Sequence, residues 1–180
     1  VKINGSRSNC HYQYIIPAQG TESPQRGLYN QIKLLGVTDI VQDIDWLSVD
    51  ISEIKSDKII LMIPSVSKSG KEKQWPSDKF AELAIEIEKK GYTICVIGQN
   101  SDKEITTMIT DSCQRAIDLT GKSPPEIIYS VAKKSDLIIS NDTGPGHMAA
   151  LSKSPILFVA QDSVISKSNL SGYKNGYTIL

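Results

Sequence analysis

The sequence lacks the features that mark several protein classes. Its three cysteines are odd in number and show no Cys-x-x-Cys spacing, which favours reduced thiols over a disulfide framework. The longest uninterrupted apolar run, Ile59 to Ile63, is far shorter than the ~20 residues that cross a bilayer. The first residues lack the basic-then-apolar pattern of a secretory signal and do not begin with methionine, as expected of a fragment or a processed chain. We therefore expect an intracellular protein without a transmembrane helix.

The chain also has no excess of positive or negative charge. Lys and Arg total 20, and so do Asp and Glu, so no overall field attracts nucleic acid or an anionic membrane. The two histidines, His11 and His147, are far apart and show no zinc-like spacing, so no metal site is expected. Any phosphate binding must therefore depend on a local group of residues.

Short apolar runs alternate with segments of helical period from Lys58 onward, which is typical of a parallel sheet flanked by helices. The runs are nearly continuous and rich in β-branched residues, as strands buried on both faces are. They cover residues 58–63, 92–97, 136–140 and 155–160. Helices are predicted between Pro76 and Gly91, over 102–113 and over 126–134, in the order β-α-β-α-α-β-α-β. The predicted fold class is α/β, a Rossmann-like parallel sheet with helices on both faces.

Residues 1–57 do not show this alternation of strands and helices. They contain one strand-like run at Tyr12 to Ile16, a helix candidate at Leu28 to Leu35, and a connecting segment at 46–57. This region is too small and polar to form a stable domain alone. We therefore place a boundary near Asp57, with residues 1–57 as a remnant of another domain and 58–180 as the main domain.

The loop after Ser140 has the strongest signal for ligand binding. Ligands of open parallel sheets bind at the carboxyl ends of the strands, where loops lead into helices. Here Asp142 or Thr143 can cap the next helix, and Gly144 and Gly146 allow backbone amides to approach a diphosphate. The alternative is an ordinary strand-to-helix turn. Asp-Thr-Gly also occurs in aspartic proteases, but those are all-β proteins.

Two other loops carry weaker signals. The loop after Ile63 holds three serines, a glycine and three lysines without the spacing of a Walker A motif, so it is either a phosphate-binding loop or a solvated one. After Ile97, Asp102 or Glu104 could accept hydrogen bonds from ribose hydroxyls, or could serve only to start a helix favourably.

Four motifs occur together in this order. They are Lys-x-Trp-Pro at 73–76, a strand ending in Gly98 before an acid-containing helix, Asp-Leu-x-Gly-Lys at 118–122, and Ser-Asn-Asp-Thr-Gly-Pro-Gly-His-x-Ala-Ala at 140–150. Together they resemble the C-terminal domain of glycosyltransferase family nine, the ADP-heptose:lipopolysaccharide heptosyltransferases. The resemblance implies the C-terminal half of a two-domain GT-B fold, so residues 58–180 would be the nucleotide-sugar-binding domain and 1–57 a remnant of the N-terminal, acceptor-side domain.

The resemblance also implies donor-binding roles for particular residues. Lys73 would counter the diphosphate charge, Ser65 and Ser67 would supply hydroxyls, Asp102 would hold the ribose, and Ser123 would lie near the base. The remaining donor-binding residues come from the last motif and are Asp142, Thr143, Gly144 and His147. No catalytic residue is assigned, because the family's general base resembles an Asp in a glycine-acid turn of the first domain and no Gly-Asp pair occurs here.

The activity implied is inverting transfer of a sugar from an ADP-heptose-like donor to the lipopolysaccharide core, with no cofactor besides the donor. Two alternatives stay open: a transferase that uses another nucleotide sugar for a surface glycan, and a nucleotide-binding module without catalysis. The implied partners are a nucleotide sugar and the lipopolysaccharide core, not nucleic acid. The implied location is cytoplasmic, with room for a peripheral contact to the inner face of the membrane through the missing domain.

Overall fold

The computed structural model describes residues 32–33, 36–39 and 43–159, apart from the side chains of Ser69 and Lys73, together with the backbone of residues 4–5, 14–15 and 176–179. The chain divides into two compact units, Val1–Asp43 and Ile44–Leu180. Within the described residues, no helix has the length and apolar character needed to span a membrane.

The first unit contains a short parallel strand pair. In it, β1 (Asn4–Gly5) pairs with β2 (Tyr14–Ile15). The strand predicted at Tyr12 to Ile16 is therefore confirmed at its centre. Of the helix predicted over Leu28 to Leu35, residues 32–33 are described and are helical, and the others lie outside the described residues.

The second unit is built on a six-stranded sheet in which every neighbouring pair is parallel. In chain order the strands are β3 (Ile59–Ile63), β4 (Thr93–Val96), β5 (Ile117–Asp118), β6 (Leu137–Asn141), β7 (Ile156–Val159) and β8 (Gly176–Ile179). They lie side by side in the order β5-β4-β3-β6-β7-β8. The four strands predicted from apolar runs are confirmed as β3, β4, β6 and β7, and so is the α/β fold class.

Four α-helices accompany the described part of this sheet. They are α1 (Ser77–Lys89), α2 (Lys103–Asp111), α3 (Pro125–Lys134) and α4 (Gly144–Ala150). The helix end predicted at Gly91 is confirmed, since this residue has a φ of 93°, which a glycine adopts without strain. The start of α3 follows from Pro125, whose fixed φ suits the first position of a helix.

Both faces of the central strand β3 are buried. Its odd-numbered residues Ile59, Leu61 and Ile63 join one apolar cluster with residues of α3 and α4. Its even-numbered residues Ile60 and Met62 join a second cluster with residues of α1 and α2. Because side chains alternate along a strand, these two clusters lie on opposite faces of the sheet. Helices cover both faces, as the continuous apolar strands predict.

One predicted element order is wrong. The sequence pattern predicts two helices in succession between the second and third long strands, but β5 lies between α2 and α3 and pairs with β4. This strand has two residues, too few for an apolar run or an alternating pattern to appear. It forms at the edge of β4, where backbone groups would otherwise have no partner strand.

The connecting segment before β3 packs along α3. The Tyr129 hydroxyl donates to Asp45 Oδ1 at 2.9 Å, and the Val49 amide donates to Ser130 Oγ at 2.8 Å. These contacts hold the segment on the second compact unit. The assignment of residues 1–57 to the remnant of another domain stays a prediction.

Stability at alkaline pH is expected to depend on Cys95. Burial in β4 raises the pKa of its thiol to about 12, from an ordinary value of 9.0. Between these values the unfolded chain releases this proton and the folded chain keeps it, so the free energy of unfolding falls by about 1.4 kcal/mol per pH unit. Urea unfolding from neutral to alkaline pH should show that the free energy of unfolding falls less steeply with pH in the Cys95→Ala variant than in the parent chain. Equal pH dependence of this free energy in the two proteins would contradict the prediction.

Candidate functional site

The order of the strands reverses between β3 and β6. From β3 the chain proceeds through β4 to β5 on one side, and from β6 it proceeds through β7 to β8 on the other. In open parallel sheets, ligands bind outside the carboxyl ends of the strands at such a reversal, because the connecting loops there diverge and leave a crevice. The structure has a cleft at this position.

The cleft has a volume of about 980 Å³. It is formed by the loops after β3, β4, β5 and β6, together with the first turns of the helices that follow. Its polar and glycine lining residues are Ser65, Ser67, Lys68, Lys71, Gln74, Gly98, Gln99, Ser101, Asp102, Glu104, Ser123, Thr143 and Gly144. Its apolar lining includes Ile63, Val66, Ile97, Ile105, Ile128 and Met148. Mixed lining of this kind and size is typical of small-molecule sites.

The loop after β3, residues 65–74, is called the lysine loop here. Two of its lysines, Lys68 and Lys71, are exposed and line the cleft. Ser65 is 8% exposed, and its hydroxyl has no hydrogen-bond partner among the described residues. Because a buried hydroxyl without a partner is costly, a ligand atom in the cleft would find an available donor there. The predicted Ser65 and Ser67 both line the cleft, whereas the side chain of Lys73 lies outside the described ones.

The loop after β4 brings carboxylates to the cleft. Asp102 Oδ2 accepts a hydrogen bond from the Gln99 amide at 2.8 Å, in a reciprocal cap of a short 3-10 turn. Asp102 therefore helps to start the helical turn, which is the alternative role predicted from the sequence, and it also lines the cleft. Glu104, in the first turn of α2, adds an exposed carboxylate.

Gly98 allows the loop after β4 to pack closely on its neighbours. A Cβ at this position would lie 2.9 Å from Thr106 Cγ2 and 3.4 Å from Ser65 Oγ. The Gly98 carbonyl also accepts a hydrogen bond from the Gly121 amide at 2.8 Å, which joins this loop to the loop after β5. That last loop contributes the predicted Ser123 to the lining.

Four donor-binding residues are predicted in the turn after β6 and the helix start, and only two of them line the cleft. Thr143 and Gly144 line the cleft. Asp142 and His147 are not among the described residues that line the cleft. They contact each other, with Nε2 of His147 3.2 Å from Oδ1 of Asp142. The imidazole also packs 5.6 Å from the ring centre of Phe158.

The capping role proposed for the side chain of Thr143 is wrong. Thr143 precedes α4 with extended backbone, at the N-cap position, but its side chain makes no capping hydrogen bond. The alternative interpretation, an ordinary strand-to-helix turn with Asp142 as the cap, stays a prediction.

Several lining residues were not assigned a role from the sequence. Lys68 and Lys71 belong to the basic loop that the sequence analysis describes, but the motif resemblance selects Lys73. Gln74 and Met148 are each adjacent in sequence to an assigned residue. The signal that could have found them is their place in the loops and helix starts that follow the carboxyl ends of the strands. In the described part of the chain, no group of three His, Cys, Asp or Glu side chains could hold a metal ion.

Comparison with known proteins identifies a matching family and related sequences. The sequence model of glycosyltransferase family 9 (heptosyltransferase) matches residues 23–162. The lipooligosaccharide heptosyltransferase 2 of Haemophilus ducreyi is 32% identical over 96 residues, which are 51% of this chain and 28% of that protein. The lipopolysaccharide heptosyltransferase 3 of Escherichia coli is 25% identical over 170 residues, 85% of this chain and 48% of that protein.

A solved structure shares the fold. The structure of E. coli heptosyltransferase WaaC with ADP-2-deoxy-2-fluoro heptose superposes with a TM-score of 0.67 at 18% identity, over 93% of this chain and 52% of that one. The chain spans about half the length of this protein and of the E. coli heptosyltransferase 3, and less of the Haemophilus protein. Because the family model covers most of the sequence and the parallel sheet agrees with it, the chain belongs to glycosyltransferase family 9, the heptosyltransferases.

Proposed function

We propose that this chain is the donor-binding half of a glycosyltransferase that transfers heptose from an ADP-heptose-like donor to the lipopolysaccharide core, with inversion. A transferase that uses another nucleotide sugar for a surface glycan is the alternative within the same chemistry. A nucleotide-binding module without catalysis is the alternative outside it.

One observation carries the proposal: the cleft at the strand reversal has cationic, hydroxyl and carboxylate groups on neighbouring loops. Lys68 and Lys71 come from the loop after β3, and Asp102 and Glu104 come from the residues after β4. A nucleoside diphosphate needs cations for its phosphates and acceptors for its ribose hydroxyls. A volume of about 980 Å³ gives room for the nucleotide and a sugar.

The diphosphate is assigned to the lysine loop and the turn at Thr143 and Gly144. Lys68 and Lys71, with Lys73, would offset its negative charge, and the hydroxyls of Ser65 and Ser67 would donate to its oxygens. Negative charge develops on the diphosphate as it leaves the sugar, so these groups would stabilise the transition state more than the bound donor.

The ribose and base are assigned to the loops after β4 and β5. Asp102 accepts hydrogen bonds from the Gln99 amide and the Ser101 hydroxyl. A carboxylate has about four acceptor positions, so two remain for ribose hydroxyls. Glu104 offers a second carboxylate, and Ser123 would lie near the base. The last motif also assigns Asp142 and His147 to the sugar, although neither is among the described residues that line the cleft.

Inverting transfer also needs a general base that removes the proton from the acceptor hydroxyl at hydrogen-bond distance. This base and the acceptor platform are assigned to the other half of the two-domain enzyme, since no Gly-Asp pair occurs in this chain. The proposed partners are the nucleotide sugar and the lipopolysaccharide core, with no nucleic acid. The proposed location is the cytoplasm, with contact to the inner face of the membrane through that other half.

Calorimetric titration with ADP tests the binding role. Replacing Lys68 or Lys71 by Ala should weaken ADP binding about 5-fold each, because each removes an exposed charge-assisted contact worth about 1 kcal/mol. Lys73→Ala belongs in the same series and should act in the same direction. Lys89→Ala is the matched control, because Lys89 pairs with Glu86 on the exposed surface of α1 and does not line the cleft. It should leave ADP affinity unchanged. The ADP affinity of the three loop variants should also depend less on salt concentration than that of the parent chain.

AMP provides the second comparison. It lacks the phosphate that the lysine loop is proposed to hold, so it should bind more weakly than ADP and respond less to the lysine substitutions. Equal ADP affinity in the parent and in all three loop variants would remove the lysine loop from the site. No binding of either nucleotide to the parent chain would overturn the donor-binding role.

A further inference from the structure

Asn141 is a buried polar side chain in the last position of β6. It is completely buried, at 0% exposure. It stands directly before Asp142, Thr143 and Gly144, but the resemblance gives it no role toward a ligand. Its amide makes two hydrogen bonds across about 70 residues of sequence, and both reach the lysine loop's flanks.

The two bonds fit the amide in one orientation only. Nδ2 donates to the Pro64 carbonyl at 2.6 Å, and Oδ1 accepts from the Trp75 backbone amide at 3.0 Å. A carbonyl can only accept and a backbone N–H can only donate, so the orientation of the side chain is fixed by its partners. Only a side chain with a donor and an acceptor on one short stem satisfies both.

Pro64 and Trp75 are the residues on either side of the lysine loop. Between them lie the residues that this loop contributes to the cleft, including Ser65, Lys68 and Lys71. Trp75 is held further by its ring, which packs edge to face on the buried Phe80 at 4.8 Å between ring centres. The start and the end of the loop therefore meet at one amide group.

We propose that Asn141 is a positioning residue that holds both ends of the lysine loop against the end of β6. It thereby fixes the cations of Lys68 and Lys71 relative to Thr143 and Gly144, which follow it directly in the chain. The identity of the ligand as a nucleoside diphosphate rests on the proposed function, whereas the control of the loop by Asn141 does not.

The physical consequence of losing the amide follows from its partners. Ala at position 141 leaves the Pro64 carbonyl and the Trp75 amide without their partner, so both ends of the loop gain freedom. If the loop then holds its binding arrangement for about a tenth of the time, the apparent affinity falls about tenfold. Binding would have to order the loop again at each event.

Three measurements on the 180-residue chain test the proposal. In the unchanged protein, the Trp75 amide should exchange with solvent as slowly as amides of the central strands. In Asn141→Ala, trypsin should cut after Lys68 and Lys71 at least about tenfold faster than in the parent. ADP affinity of this variant should fall at least about tenfold.

Ile59→Val is the matched control. Ile59 is fully buried at the amino end of β3, the sheet edge opposite the cleft, so this variant weakens the core without touching the loop. It should leave tryptic cleavage of the loop and ADP affinity within about twofold of the parent. Both variants are compared at a temperature where circular dichroism shows them folded.

The outcomes separate this proposal from the proposed function. A rapidly exchanging Trp75 amide in the parent overturns the positioning role without any variant, so a failure of Asn141→Ala to fold leaves the proposal testable. Faster cleavage in Asn141→Ala with no ADP binding by the parent supports the positioning role and contradicts the function. ADP binding by the parent that survives unchanged in Asn141→Ala, with unchanged cleavage, contradicts the positioning role alone.

Discussion

The purified 180-residue chain is expected to bind ADP weakly and to show no glycosyl transfer above background. The cleft at the ends of β3 and β6 supplies groups for a donor, whereas the general base and the acceptor platform are proposed to belong to the other half of the enzyme. The absence of a positioned general base typically reduces the rate by ~10²–10⁴-fold. Loss of acceptor positioning adds a further reduction through lost proximity.

Weak binding has a related cause. In a two-domain cleft the second domain covers the donor and excludes water, which strengthens each electrostatic contact. In this chain Lys68 and Lys71 are exposed, so their attraction to a diphosphate is screened by water and salt. The energy that holds the donor is therefore only part of what a closed site would give.

The assay incubates the chain with ADP-heptose and a truncated lipopolysaccharide acceptor, and it follows both ADP release and product mass. A full-length heptosyltransferase with the same substrates is the positive control. Efficient transfer by the chain alone would place a base within it, and Asp142 and His147, 3.2 Å apart, would be the first candidates. That result would overturn the assignment of the base to the other half of the enzyme.

The parallel sheet was predictable because its long strands are buried on both faces. Burial on both faces removes the need for polar residues, so Ile59 to Ile63 and the other long strands appear as continuous apolar runs. The short β5 gives no such run, and only the unpaired edge of β4 explains it. Edge pairing is a tertiary effect that a local pattern cannot contain.

The position of the cleft was predictable for the same topological reason. Parallel strands bring their carboxyl ends to one edge, so Ser65, Asp102, Ser123 and Thr143 meet at one cleft although they are far apart in sequence. The direction of individual side chains was not predictable. Asp142 faces His147, and the capping of the turn at Gln99 depends on local geometry that the residue types do not specify.

The role of Asn141 shows a further limit. The resemblance gives this residue no role, whereas in the structure its amide joins Pro64 and Trp75. These partners are distant in sequence and offer only backbone atoms. Almost every residue type has the same backbone groups, so the identities of Pro64 and Trp75 do not indicate this contact. Only the folded structure reveals it.

Replacing Gly144 by Leu is expected to abolish measurable ADP binding while leaving the fold intact. Gly144 is the first residue of α4 and lines the cleft. A Cβ built there meets no atom within 4 Å, and the residue is not among the glycines with positive φ. A Cβ therefore fits the folded chain without strain, and a longer side chain at this position would extend from the lining of the cleft.

The binding loss has two causes. A leucine side chain fills volume that the proposed diphosphate occupies, and it puts apolar surface against a group that needs hydrogen bonds and cations. We expect a loss of at least about 30-fold, with a smaller loss for Gly144→Ala, since each 1.4 kcal/mol corresponds to tenfold. The free energy of unfolding should stay within about 0.5 kcal/mol of the parent, because the substitution touches no packed neighbour.

Gly146, two residues further along α4, is the matched control, because it should show the opposite pattern. A Cβ at this position would collide with Ser140 Oγ and approach Phe158 Cε1 to 3.1 Å, so Gly146→Ala should lower the free energy of unfolding by about 1–3 kcal/mol. At a temperature where it is folded, its ADP affinity should change far less than that of Gly144→Leu. Urea unfolding and calorimetric titration of the two variants separate the effects. If Gly144→Leu binds ADP as the parent does, the nucleotide does not occupy the turn after β6, and the diphosphate assignment must be abandoned.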